Sequence, residues 1–483
     1  MAQLGQFHDD GLYYVGAKSL AEGHGYRIAN LPGEPAQTKY PPLYSWLLSL
    51  DLRAAPVLGW IAFPLMIALA WLLFGRFGFG SIERALLAAF LALSPTLVFF
   101  SVTLMPDLLF AALAALAVLA VMRPGWRWAL IAGAVAGLAY LTKTAALPLV
   151  VAALLWLLLQ GERRRAVWFL AASLPCVVAW QVWAARASTS GPEAWVYYVS
   201  YFGYHLRLFG ISDAPLMMWK NAGALLSGIG GLFIFNLGDT YWGVQLARLI
   251  AIGSISGAVR MARRTGVSPF HWFAAGYTLL LLVWHFPPAE RFLIPIMPLL
   301  VAGLYTELRH LVTLLRAAAD AGGANRVLAG GMACALGGLA IWTGLVIFDA
   351  LRHDLPGILA QHRTLAAARS DAYQWVRENT PPQAAFVAYH DVPFYLATGR
   401  HAMRVPLSPK PLYVGAPDAY KEPFQHIDVT MRALRLNYLL VTPADFHSDL
   451  PPSEQAALRE LMTSNPALER VYTSRGVSIY RTR

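Results

Sequence analysis

The chain has 483 residues, 57% of them hydrophobic and only 13% charged, with a formal net charge of +11 at pH 7 and a mean hydropathy of +0.48. That balance excludes an ordinary soluble protein and describes a polytopic membrane protein. The positive excess falls mainly in short loops between apolar runs, where membrane topology uses it, so nucleic acid is not the partner it implies.

The chain opens on His8-Asp9-Asp10-Gly11-Leu12-Tyr13-Tyr14. Two adjacent carboxylates precede an amphipathic stretch whose Leu12, Val15, Leu20 and Tyr26 are expected to lie on the bilayer. A carboxylate here serves either as a helix cap, satisfying free amides at the positive end of the dipole, or as a general base. Lys39-Tyr40-Pro41-Pro42-Leu43-Tyr44 follows. Its lysine either snorkels at the interface or is aimed at a ligand by the rigid Pro-Pro. A spanning helix needs about 20 apolar residues, fewer where it is kinked or covered. Ten crossings are expected, near 56–75, 84–101, 107–122, 128–141, 145–160, 166–184, 241–259, 268–286, 291–307 and 327–348. Residues 43–50 begin the first span or form an interfacial turn, and 221–237 form an eleventh crossing or a re-entrant helix. Cys176 and Cys334, the only cysteines, lie in apolar segments and read as packed or lipid-facing small residues.

Arginines occupy alternate loops: Arg76 and Arg84; Arg123 and Arg127; Arg163-Arg164-Arg165; Arg260, Arg263 and Arg264; Arg309, Arg316 and Arg326. Lys and Arg resist translocation, so these loops are placed in the cytoplasm. The N-terminal segment, the loop 101–107, the turn 142–144, the segment 185–220, the turn 285–291 and the C-terminal region from 349 are then outside. That topology expects a further transmembrane helix ahead of residues 1–42. The outer face carries Asp107, just after Met105-Pro106 at a helix tip, where it either starts the helix or acts as an ionisable group at membrane depth. It also carries Lys143, in a tight turn, and Glu290-Arg291, read as a self-paired couple or as a phosphate-binding arginine. The aromatic segment 185–220, with Tyr197, Tyr198, Tyr201 and Trp219, is expected to form an interfacial helix in the headgroup layer, with a ligand platform as the alternative and the two compatible with each other.

From about 355 the composition becomes soluble. A helix is expected over 365–379, strands over 384–389 and 436–441, and a hairpin formed by 470–474 and 477–481 around Arg475-Gly476. The fold class is therefore mostly α: a polytopic transmembrane helix bundle with a small C-terminal extracytoplasmic α/β domain. Its parts are an external acidic segment, 1–42, a bundle, 43–350, and the external domain, 351–483. No Gly-rich phosphate loop, zinc spacing or Ser-His-Asp set stands out, and His8, His24, His205, His285 and His390 read as ordinary external or interfacial histidines. Carboxylates and cations on one face of a hydrophobic bundle suit a substrate with a phosphate head and a lipid tail.

The acidic pair before Leu12-Tyr13-Tyr14, then Lys39-Tyr40-Pro41-Pro42-Leu43-Tyr44, Ser94-Pro95, Met105-Pro106-Asp107-Leu108-Leu109-Phe110 and Glu290-Arg291-Phe292-Leu293-Ile294-Pro295, resemble the GT-C membrane glycosyltransferases. Within that group the chain is similar to the bacterial relatives of dolichyl-phosphate-mannose protein mannosyltransferases, which include the lipid A aminoarabinose transferase and galacturonosyltransferases. The resemblance implies a bacterial inner-membrane enzyme that moves a sugar from a polyprenyl phosphate to a hydroxyl of an acceptor glycan, lipid or protein. By position it implies Asp9 as general base with Asp10 beside it, where Glu is common, and Asp107 as a further active-site acid. Lys39, Lys143 and Arg291 would bind the donor phosphate. No metal is required in this reading, with a divalent ion near Asp9 and Asp10 as the variant. The competing expectation is a transporter or lipid flippase, whose sites belong near the bilayer midplane on broken helices. A third is an external binding module on a degenerate bundle.

Overall fold

The computed structural model describes residues 4–188, 195–235, 240–414, 420–447 and 449–483. All ten expected spans fall on helices. Among the described residues, five helical stretches are long and apolar enough to cross a membrane: Ala55–Arg76, Arg163–Ala187, Tyr241–Thr265, Glu290–Asp320 and Gly323–Asn379. Ser81–Ala92 and Pro95–Ser101, bent by 60° at their junction, make a sixth if counted as one span. The break falls where Ser94-Pro95 removes an amide from the helical ladder. The other expected spans are shorter: Asp107–Val121, Trp126–Thr142, Thr144–Leu159 and Pro269–Leu282. Residues 43–50 fall in a separate helix, Pro42–Ser49, and most of 221–237 falls in Ala214–Gly231, with 236–237 outside the described residues.

Small residues set how closely the helices approach. A Cβ on Gly133 would lie 2.2 Å from the Phe169 carbonyl oxygen, and one on Gly257 only 1.9 Å from that of Gly303. Lipid supplies little hydrophobic drive between helices, so such backbone approach and its dispersion energy take that role. Cys176 packs where a Cβ on Gly137 would be, while Cys334 is exposed.

Several of the loop arginines tie neighbouring helix ends together. Arg165 donates to the carbonyls of Val121 and Arg123, both at 2.6 Å. Arg309 pairs with Glu83, and Arg260 with Glu307 at 3.0 Å.

Beyond the bundle, Gly323–Asp349 continues through a π-helical turn, Ala350–Asp354, into Leu355–Ala368 and then Ser370–Asn379. The expected boundary at 350/351 thus lies inside a helical rod. The domain it enters is a five-stranded sheet of β1 (Ala385–Ala388), β2 (His401–Met403), β3 (Tyr438–Val441), β4 (Leu468–Ser474) and β5 (Val477–Thr482), ordered β2-β1-β3-β5-β4. β1 pairs in parallel with β2 and β3, and the hairpin β4–β5 adds antiparallel to β3.

The N-terminal helix His8–Ala21 corrects one expectation. Its Leu12 and Val15 are fully buried, in one cluster with Ile28, Leu31, Tyr44 and Val392, so they do not lie on the bilayer. The apolar stripe read as lipid-facing is instead covered by the segment that follows it and by the C-terminal domain.

Candidate active site

Asp9 and Asp10 sit in the first turn of the same helix and point to different partners. The Asp10 carboxylate turns back and accepts the amides of Gly5, Gln6 and Phe7 at 3.1–3.2 Å. It is fully buried, caps the free amide at the helix start and closes the preceding turn. Burial pushes it up to about 7 against the pull of those amides. Asp9 points the other way. Tyr40 donates its hydroxyl to Asp9 Oδ1 at 2.6 Å, and Arg291 donates from Nη2 to Oδ2 at 3.1 Å. Burial raises the Asp9 carboxyl, but the charges of Arg291 and Lys39 and the Tyr40 hydrogen bond outweigh it and hold the group well below the usual carboxylate range.

Lys39 is buried. It donates to the Tyr197 carbonyl at 2.8 Å and lies over the rings of Tyr197, Tyr201 and Tyr40 at 4.4, 4.6 and 5.1 Å. Burial lowers its ammonium to about 8, with Asp9 working against that shift. Asp107 begins the helix after Pro106 and receives Lys143 Nζ at 2.7 Å. Asp107 is 1% exposed, and its second oxygen, Oδ2, has no hydrogen-bond partner among the described residues. Arg291 lies between the rings of Phe292 (4.7 Å) and Phe7 (5.2 Å). The carboxylate it pairs with is Asp9, in place of the self-paired Glu290-Arg291 couple; Glu290 lies against Gly231.

Two cavities meet here. One, about 680 Å³, is walled by Asp9, Lys39, Lys143 and Arg291 together with Tyr13, Tyr201, Trp284 and Phe292, and its remaining lining is mostly apolar. The other, about 630 Å³, lies between the N-terminal segment and the C-terminal domain, lined among others by Asp10, Arg404, Asp449 and Glu454. Asp9, Arg291, Tyr197 and Phe286 line both. Asp107 reaches the first cavity only through Lys143. Among the described residues no group of three or more His, Cys, Asp or Glu could hold a metal ion.

Residues 39–184, holding Lys39, Asp107 and Lys143, match the family model of dolichyl-phosphate-mannose-protein mannosyltransferases. Asp9, Asp10 and Arg291 lie outside the matched stretch. No curated protein matches the sequence. Among solved structures the chain is similar to ArnT from Cupriavidus metallidurans in the apo state, at 14% identity and a TM-score of 0.46, over 98% of this chain and 92% of that one. The same protein bound to undecaprenyl phosphate gives 13%, 0.48, 98% and 93%. The oligosaccharyltransferase of Archaeoglobus fulgidus tethered with an acceptor peptide gives 14%, 0.47, 98% and 70%.

Residues that sequence reading did not select also meet at the site. The aromatics expected in the headgroup layer include Tyr197 and Tyr201, which cage Lys39, and the buried Tyr198. His8, read as an ordinary histidine, pairs with Asp391 of the C-terminal domain at 3.2 Å. Its position directly before Asp9 was the one available signal.

Proposed function

We propose that the chain is an integral membrane glycosyltransferase of the bacterial inner membrane. It moves a sugar from a polyprenyl-phosphate donor to a hydroxyl of lipid A, polysaccharide, another lipid or protein on the extracytoplasmic face. The supporting observation is Asp9, which lines both cavities at once. The lipid-phosphate donor occupies the apolar cavity, its phosphate facing Lys39, Lys143 and Arg291, and the acceptor enters beside the C-terminal domain.

The acceptor oxygen attacks the anomeric carbon as the bond from that carbon to the phosphate oxygen breaks. Asp9 takes the hydroxyl proton, and the polyprenyl phosphate leaves with the bonding electrons. One displacement inverts the anomeric carbon. Arg291 and Lys39 hold Asp9 weakly basic in the free protein. A phosphate that draws their charge to itself releases that hold, so the base strengthens once the donor is bound.

The test is mass spectrometry of surface lipids, polysaccharide and protein from cells with and without the gene, complemented by wild type and by Asp9→Asn. A glycosylated product that depends on the gene and is absent with Asp9→Asn is expected. Full product with Asp9→Asn rules out the assigned base.

A further inference from the structure

We infer that the C-terminal domain is a clamp for the catalytic segment, with Asp391 as a positioning residue that holds His8 and thereby Asp9. This rests on the transferase reading above. Asp391 begins the helix Asp391–Thr398 and is buried. Its carboxylate accepts from the Tyr198 hydroxyl at 2.7 Å, from Asn30 Nδ2 at 3.0 Å and from the Val392 amide at 2.9 Å. It faces His8 Nε2 at 3.2 Å. The other ring nitrogen of His8 meets the Tyr197 hydroxyl at 3.2 Å, and the two rings stack at 5.4 Å. Tyr197 is the residue whose carbonyl holds Lys39. One carboxylate of the C-terminal domain therefore stands behind both the proposed base and a proposed phosphate ligand.

Backbone packing makes the same connection independently. A Cβ on Gly11 would lie 2.8 Å from Val392 Cβ, and one on Gly5 2.8 Å from Pro393 Cγ. The Asp9 helix is thus seated on the Asp391 helix at a distance only glycine permits. Asn30 and Ala402 add a reciprocal pair: the Ala402 amide donates to the Asn30 carbonyl at 2.7 Å, and Asn30 Nδ2 donates to the Ala402 carbonyl at 3.1 Å. Displacing a catalytic group by about 1 Å costs up to about a hundredfold in rate.

The experiment uses the full chain. Transfer is read as gene-dependent product by mass spectrometry, and binding of undecaprenyl phosphate to protein in nanodiscs by tryptophan fluorescence. Gly11→Ala is expected to lower transfer about tenfold or more while binding undecaprenyl phosphate near wild type. The volume-conserving Asp391→Asn is expected to lower transfer at least as far and, through Tyr197 and Lys39, to weaken that binding as well. Both variants are expected to lower the thermal midpoint while still folding. Adding Val392→Ala to Gly11→Ala is expected to restore most of the transfer, which a general loss of fold does not explain. Wild-type transfer by both single variants overturns the clamp, as does a double variant no better than Gly11→Ala. Asp9→Asn is run alongside. If it is inactive while the clamp variants are normal, the clamp alone fails; if it transfers, the reading beneath it fails.

Discussion

Asp10→Ala separates the roles of the two neighbouring aspartates. In the wild type three backbone amides, those of Gly5, Gln6 and Phe7, end on the Asp10 carboxylate in a fully buried position. At 3.1–3.2 Å these are long bonds, so about 1 kcal/mol each is a fair value, or roughly 3 kcal/mol for the set. At about 1.4 kcal/mol per tenfold, opening of this turn should become on the order of a hundredfold more frequent in Asp10→Ala. Hydrogen exchange with mass spectrometry on peptides from the first helix reads this directly, and unchanged protection in the variant would refute the capping role. Asp10→Asn should fall between, since its one carbonyl oxygen accepts but its NH2 faces other donors. The pH dependence has a definite sign. The carboxyl is raised from 3.8 to about 7, so the folded state holds the proton more tightly than the unfolded one. Its stabilising contribution is full below pH 3.8, falls as pH rises and is gone above about 7. Asp10→Ala should remove that decline from the unfolding profile.

Lys39 is lowered to about 8 by burial, so affinity for a polyprenyl monophosphate should weaken as pH rises through that value, and Lys39→Met should flatten this limb of the titration. Lys143→Ala leaves Asp107 buried without its cation and should cost about 3 kcal/mol of stability. Thermal unfolding should recover in Lys143→Met with Asp107→Leu, while transfer stays lost. Turnover should survive a chelator, because Asp9 and Asp10 point to different partners; chelator-sensitive turnover would overturn the metal-free reading.

How much of this could be read from residues alone depended on the range of the interaction. The bundle was legible because apolar run length reports directly on a membrane. The hairpin β4–β5 was legible because Arg475-Gly476 marks its turn, whereas β2, three residues long, carries too little pattern. Lys39, Lys143 and Arg291 stood out because a charge beside apolar residues is locally conspicuous. The pairing of His8 with Asp391 spans 383 positions, and nothing near either residue announces it. The same holds for Leu12 and Val15. An amphipathic stripe says that something apolar covers it, and here the cover was protein in place of lipid. Local pattern also left cap and base undivided between Asp9 and Asp10, because the choice turns on which way each side chain points.

The charges around the donor cavity carry a last consequence. Lys39, Lys143 and Arg291 stand against Asp9 and Asp107, which leaves one positive charge over. Burying unbalanced charge is costly, and a sugar–polyprenyl phosphodiester carries one negative charge, so the proposed donor would neutralise the site. The leaving polyprenyl phosphate is a monoester able to carry a second negative charge, which Asp9 repels once it has released the proton it took. Asp9→Asn should therefore do two opposite things: abolish transfer and tighten binding of undecaprenyl phosphate. Removing one unit charge across a partly solvated site is worth on the order of 1–2 kcal/mol, or about tenfold in Kd. Titration into nanodiscs bearing each protein measures this. Weaker binding by Asp9→Asn would mean that Asp9 keeps Arg291 oriented for the phosphate more than it opposes the phosphate's charge.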